Sequence, residues 1–155
     1  MLLPKPNLFL DLELTLIKDW YDHTLIPHNI KLIKKFILDN NIENATLFSA
    51  AVWTQKEADS FNDNLKDFLE EKLGITLDIL LLTEAHKLIL DKNNLSGEST
   101  AFFCDTFLFD QKENFFKEWL LASEAEGHFV LFDDTVEDSM YHRGKLTIEM
   151  RKVIP

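Results

Sequence analysis

Three short apolar runs in this chain end in side chains that carry oxygen. Leu8-Phe9-Leu10 is followed by Asp11, Glu13 and Thr15, and Thr46-Leu47-Phe48 by Ser49. Val130-Leu131-Phe132 is followed by Asp133 and Asp134. Carboxylates gathered at one place repel one another unless a cation sits among them. An all-oxygen ligand set that keeps some water suits Mg²⁺. A hydroxyl such as Ser49, with an ammonium nearby, would then hold the oxygens of a phosphoryl group, leaving Asp11 to attack phosphorus.

Such a site needs strands that end side by side. Residues 7–11, 45–49, 77–82 and 128–132 read as buried strands, and 146–154 as a fifth with imperfect alternation. Residues 27–41 read as a helix with Pro27 in its first turn, and 54–73 as one long helix stopped by Gly74. Residues 84–90 and 113–123 read as further helices, 93–99 as a loop, and 101–109 as strand or buried coil. Strands alternating with helices imply an α/β fold: a Rossmann-like three-layer sandwich with a mainly parallel central sheet. Ligands of such sheets bind beyond the carboxyl ends of the strands, where the acids and hydroxyls lie.

The order of these features resembles the haloacid dehalogenase-like phosphatase superfamily. Its first motif, a strand and then Asp-x-Asp-x-Thr, is matched by Asp11-Leu12-Glu13-Leu14-Thr15. Its second, a strand ending in Ser or Thr, is matched at Ser49, and its fourth, a strand ending in paired acids, at Asp133-Asp134. The third is a lysine upstream of the fourth. Lys112 fits best, because one helix fits between it and Asp133, and Lys117 is the second choice.

The resemblance implies a Mg²⁺-dependent phosphomonoester hydrolase acting through an aspartyl-phosphate. It implies Asp11 as nucleophile and metal ligand, the carbonyl of Glu13 and the carboxylate of Asp133 as further ligands, and Asp134 beside the metal's waters. Ser49 would bind the phosphoryl group, Lys112 would offset its charge, and Thr15 would brace the loop. The departure is Glu13, where the family has an Asp that protonates the leaving group and then activates water. Its extra methylene puts turnover in question, so a catalytically impaired binding or regulatory module is the alternative. A plain α/β interaction domain is a third reading, in which Asp11, Ser49 and Asp133 merely cap helices.

Between Thr15 and Pro27 there is room for a small flap around Trp20-Tyr21-Asp22 but not for a cap domain. The resemblance then implies an open site for a large phosphorylated substrate (a protein, a nucleotide or a nucleic-acid end), or one covered by another subunit of a homo-oligomer.

At 155 residues the chain fits one domain, 1–155, with a single core. A net charge of −11 disfavours non-specific binding to nucleic acid and to anionic membranes. One cysteine, Cys104, excludes an intrachain disulfide, and its aromatic and acidic neighbours mark it as a core residue rather than a nucleophile. No apolar run is long enough to span a membrane, and the expectation is a cytoplasmic protein. The five histidines are scattered and read as surface or hydrogen-bonded groups, and His142-Arg143 as part of a solvated loop. Trp53 reads as packing, with stacking on a ring as its sharper alternative, and Phe115, Phe116 and Trp119 as a helix face against the sheet.

Overall fold

The computed structural model describes residues 4–92 and 112–155. Cys104 and the segments expected at 93–99 and 101–109 lie outside the described residues. The described chain is an α/β fold with a six-stranded, mostly parallel sheet and five helices. The strands are β1 (Asn7–Leu10), β2 (Asn44–Leu47), β3 (Thr76–Ile79), β4 (Gly127–Asp133), β5 (Ser139–Arg143) and β6 (Leu146–Lys152). The helices are α1 (Pro27–Asp39), α2 (Gln55–Asn64), α3 (Lys66–Leu73), α4 (Leu82–Lys92) and α5 (Lys112–Ala122).

The sheet order is β3-β2-β1-β4-β6-β5, parallel throughout except for β5. Alternate residues of each strand face opposite layers. Leu8, Leu10, Val130 and Phe132 pack with Ile33 and Ile37 of α1, Phe61 of α2 and Leu69 of α3. Phe9, Leu131, Ile148 and Met150 pack the other way, with Ala85 of α4 and Phe115, Phe116 and Leu120 of α5. Both faces are therefore covered, as parallel strands require. The rings of Phe9 and Phe116 meet edge to face at 4.9 Å, with Trp119 5.6 Å from Phe9, so that helix face packs on the sheet as expected.

This arrangement is a Rossmann-like sandwich with a topological switch point. From β1 the chain steps outward to β2 and β3 through α1, α2 and α3 on one layer. It then returns to the other side of β1 as β4, with α4 and α5 on the opposite layer. The crevice between the ends of β1 and β4 is where such sheets hold ligands.

Three local expectations are corrected. Residues 54–73 are two helices, because Leu65 leaves helical geometry at φ −127°. The bend lets Phe61, Leu65 and Leu69 all bury against the sheet, and the Asn64 side chain donates to the Ser60 carbonyl in the last turn of α2. His142 and Arg143 are not in a loop but in β5, a hairpin partner of β6 closed by Gly144, at φ +59°, and Lys145. The strand read at 77–82 ends at Ile79, and Leu82 opens α4 instead. Gly74 ends α3 in the left-handed region, φ +73°, as a helix stop should. No helix among the described residues is long and apolar enough to cross a membrane.

Candidate functional site

Register brings the first two acids together. Leu10 pairs with Phe132 in parallel, so Asp11 and Asp133 leave neighbouring strands side by side. The Asp11 amide donates to the Phe132 carbonyl at 3.0 Å, and the Phe48 amide to the Leu10 carbonyl at 2.8 Å. These bonds fix the starting points of the loops after β1 and β2. Beyond Asp11 the chain coils tightly: the Leu16 and Ile17 amides both donate to the Leu12 carbonyl, and Leu14 sits at φ +61°. That left-handed conformation costs a leucine roughly 1–2 kcal/mol. The buried side chains of Leu12, Leu16 and Ile17 offset it by anchoring the loop in the core.

The coil returns Thr15 to the acid it follows. Its hydroxyl donates to Asp11 Oδ2 at 3.0 Å, so Thr15 orients the carboxylate directly. Lys112, at the start of α5, donates to Asp11 Oδ1 at 2.9 Å and forms an ion pair with Asp133 Oδ2. Of the two candidate lysines, Lys112 therefore stands at the acids. The Lys117 ammonium lies over the Tyr141 ring, 4.2 Å from its centroid. Asp133 Oδ1 accepts from both the amide and the hydroxyl of Thr135, each at 2.7 Å. Asp134 completes the cluster: one oxygen each from Asp11, Asp133 and Asp134 lie within 4.8 Å of one another.

Asp11 is 5% exposed and Asp133 is 0% exposed, which sets the electrostatics. Burial pushes the Asp11 carboxyl up to about 7, with Lys112 working against the rise and Asp133 adding to it. Burial disfavours the Lys112 ammonium, but Asp11 and Asp133 outweigh that and hold it above the ordinary lysine value. Two buried carboxylates share one ammonium and the half-buried Asp134 stands beside them, so among the described residues the cluster carries surplus negative charge. A hard dication bound by oxygens would neutralise it, and three carboxylates are a donor set that could hold such an ion.

Ser49 is buried beyond the end of β2, and its Oγ accepts from the Ala51 amide at 3.1 Å, leaving its own proton to donate. Glu13 behaves differently from the other acids. Its carboxylate turns to the flap and accepts from the Trp20 amide at 3.0 Å. The flap, residues 18–25, is a tight hydrogen-bonded turn. Asp19 Oδ1 accepts from the Tyr21 and Asp22 amides, and the Lys18 amide donates to the Thr24 carbonyl.

Two contributors escaped the reading of residue types. Thr135 orients Asp133, and its trace in sequence is an Asp-x-Thr spacing that forms an Asx turn. The Trp20 amide holds Glu13, and a backbone donor leaves no signature. Trp53 takes its packing role: its indole N–H donates to the Ala50 carbonyl, and its own carbonyl accepts from Thr83. The ring nitrogens of His23 and His28 donate to the carbonyls of Trp20 and Ile154, and no histidine joins the acidic cluster. No family model, curated protein or solved structure matches the chain.

Proposed function

We propose that this protein is a Mg²⁺-dependent phosphomonoester hydrolase of the haloacid dehalogenase-like type, with Asp11 as nucleophile. The observation that carries the reading is Lys112, a buried ammonium held between Asp11 and Asp133 at the switch point of the sheet. Capping alone does not explain it. A cap needs one side chain and a few amides, whereas here two buried carboxylates meet on one cation.

The chemistry divides among the chain's own residues. An Asp11 oxygen attacks phosphorus while the bond from phosphorus to the ester oxygen breaks, giving an aspartyl-phosphate and an alcohol. Thr15 and Lys112 aim the attacking carboxylate. Ser49 donates to a phosphoryl oxygen, and Lys112 offsets the charge gathered there. Glu13 gives its proton to the departing oxygen and then takes one from the water that attacks the aspartyl-phosphate, releasing phosphate and restoring Asp11. Asp11, Asp133 and the Glu13 carbonyl would hold Mg²⁺, with Asp134 beside its waters, and the ion would supply charge neutralisation for the approach of an anion to an acidic site.

One observation favours a second reading, a binding or regulatory module that no longer turns over. The Glu13 carboxylate is engaged by the Trp20 amide, so it must leave that bond to act as an acid.

The test uses a small aryl phosphate with Mg²⁺, together with beryllofluoride. Hydrolysis that is lost in Asp11→Asn supports the hydrolase. No hydrolysis, but Mg²⁺-dependent beryllofluoride binding at Asp11, supports the module, because that analogue needs the nucleophile and metal but no acid. Neither hydrolysis nor binding overturns both.

A further inference from the structure

The loops after β1 and β2, which carry Asp11 and Ser49, also wall a cavity of about 600 Å³. Glu13, Trp20 and Tyr21 line it from the first loop, and Ala51, Lys56 and Glu57 from the second and the opening turn of α2. Glu13 is the residue that would protonate a departing oxygen, so this cavity lies on the leaving-group side. Its size falls within the usual range for small-ligand sites, about 300–1,000 Å³.

The lining says what fits. Trp20 is packed against the core and roots the flap. Tyr21, at the tip, is 95% exposed, with its amide pinned by Asp19. An aromatic ring held out on a hydrogen-bonded turn offers a stacking face at little cost in ordering. With Glu13 holding the proton that it gives to the leaving group, the charged groups are one carboxylate, Glu57, and one ammonium, Lys56. Thr54 donates to Glu57 at 2.6 Å, while Lys56 forms no ion pair among the described residues and retains its donors. That balance leaves no surplus positive charge for a leaving group bearing further phosphates and admits an uncharged ring with hydrogen-bonding edges.

We infer that this cavity is the leaving-group subsite and takes a planar, uncharged group, so that the substrate class is a nucleoside monophosphate. The inference rests on the phosphohydrolase reading and narrows it. Nucleoside di- and triphosphates and nucleic-acid ends are disfavoured because they bring further negative charge to a cavity whose one ammonium, Lys56, is already balanced by Glu57.

The experiment measures binding of adenosine 5′-monophosphate and ribose 5-phosphate to the Asp11→Asn protein with Mg²⁺, by calorimetry. Base-on-aromatic stacking predicts a preference for the nucleotide between about five- and about 150-fold. Adding Tyr21→Ala is expected to bring the ratio towards one without changing ribose 5-phosphate binding. A ratio near one in the parent, a ratio insensitive to Tyr21→Ala, or tighter binding of adenosine diphosphate than of the monophosphate overturns the subsite. Adenosine alone, followed by NMR at the Tyr21 ring, separates the two levels of the argument. A Tyr21 response to adenosine without binding or hydrolysis of any phosphate ester keeps the ring-binding cavity but overturns the phosphohydrolase, and with it the substrate class. Hydrolysis with no Tyr21 response and no preference for the ring does the reverse.

Discussion

The Glu13 carboxylate and the Trp20 amide are joined by a 3.0 Å hydrogen bond, which ties the candidate acid to the flap. The methylene that distinguishes Glu from Asp is spent on that reach. Two substitutions separate the roles. Glu13→Gln keeps a carbonyl oxygen for the Trp20 amide but has no proton to transfer, so protection of that amide from hydrogen exchange should persist. Its turnover should fall by about 10² or more. Glu13→Asp keeps the acid and loses the reach, so the amide should exchange faster. With the acid released towards the leaving group, its turnover should rise by roughly one to two decades, the scale of a 1 Å correction. A fall in turnover would instead mark Glu13 as fitted to its own leaving group.

Lys112 is the only ammonium touching Asp11 or Asp133 among the described residues, so its removal isolates both. Lys112→Met keeps the length and loses the charge. Breaking a buried pair on one side costs about 3–5 kcal/mol. Urea unfolding should show a loss of that order in metal-free protein. A smaller loss is expected with Mg²⁺, since the dication takes over part of the neutralisation. Unchanged stability would contradict the arrangement.

If Asp11 and Asp133 share Mg²⁺, the ion should stabilise the native state by mass action. Tenfold over its dissociation constant, binding contributes about 1.4 kcal/mol. For a chain of this size that is a rise in Tm of roughly 3–6 °C. Asp133→Asn should remove most of the rise. Thr135→Ala, which frees the oriented oxygen of Asp133, should weaken Mg²⁺ by roughly tenfold, as loss of a group orienting a ligand commonly does. No Mg²⁺-dependent shift at millimolar concentration removes the metal.

The ends of β1, β2 and β4 were readable because each is an apolar run, buried within the sheet, that stops at a polar side chain. There the pattern of burial and the position of the chemistry coincide at Asp11, Ser49 and Asp133. Lys112 was readable only through motif order, because nothing in a lysine at a helix start announces a buried ion pair. β5 was missed because Ser139, Met140, His142 and Arg143 are all exposed, so an edge strand with no buried face shows no alternation. The break at Leu65 was hidden because Phe61, Leu65 and Leu69 keep helical spacing across it. The tie from Trp20 to Glu13 was illegible in principle, since any residue at position 20 except proline brings the same amide.

The raised Asp11 carboxyl gives the metal-free protein a pH dependence with a definite sign. Its folded value, about 7, lies above the ordinary carboxyl value of 3.8. Between the two the folded state holds a proton that the unfolded chain has released. Stability must then fall as pH rises through this window, opposite to the behaviour of a salt-bridged carboxylate whose value is depressed. One proton limits the slope to about 1.4 kcal/mol per pH unit. In EDTA, the urea midpoint of the native protein should decline from pH 5 to pH 7.5 more steeply than that of Asp11→Asn. The comparison cancels the other titrating groups. Saturating Mg²⁺ should flatten the native curve towards that of the variant, because a bound dication favours the ionised carboxylate and removes the cost of forming it. Identical slopes for the native protein and Asp11→Asn would show that Asp11 is already ionised at pH 5, with Lys112 alone sufficient to neutralise it.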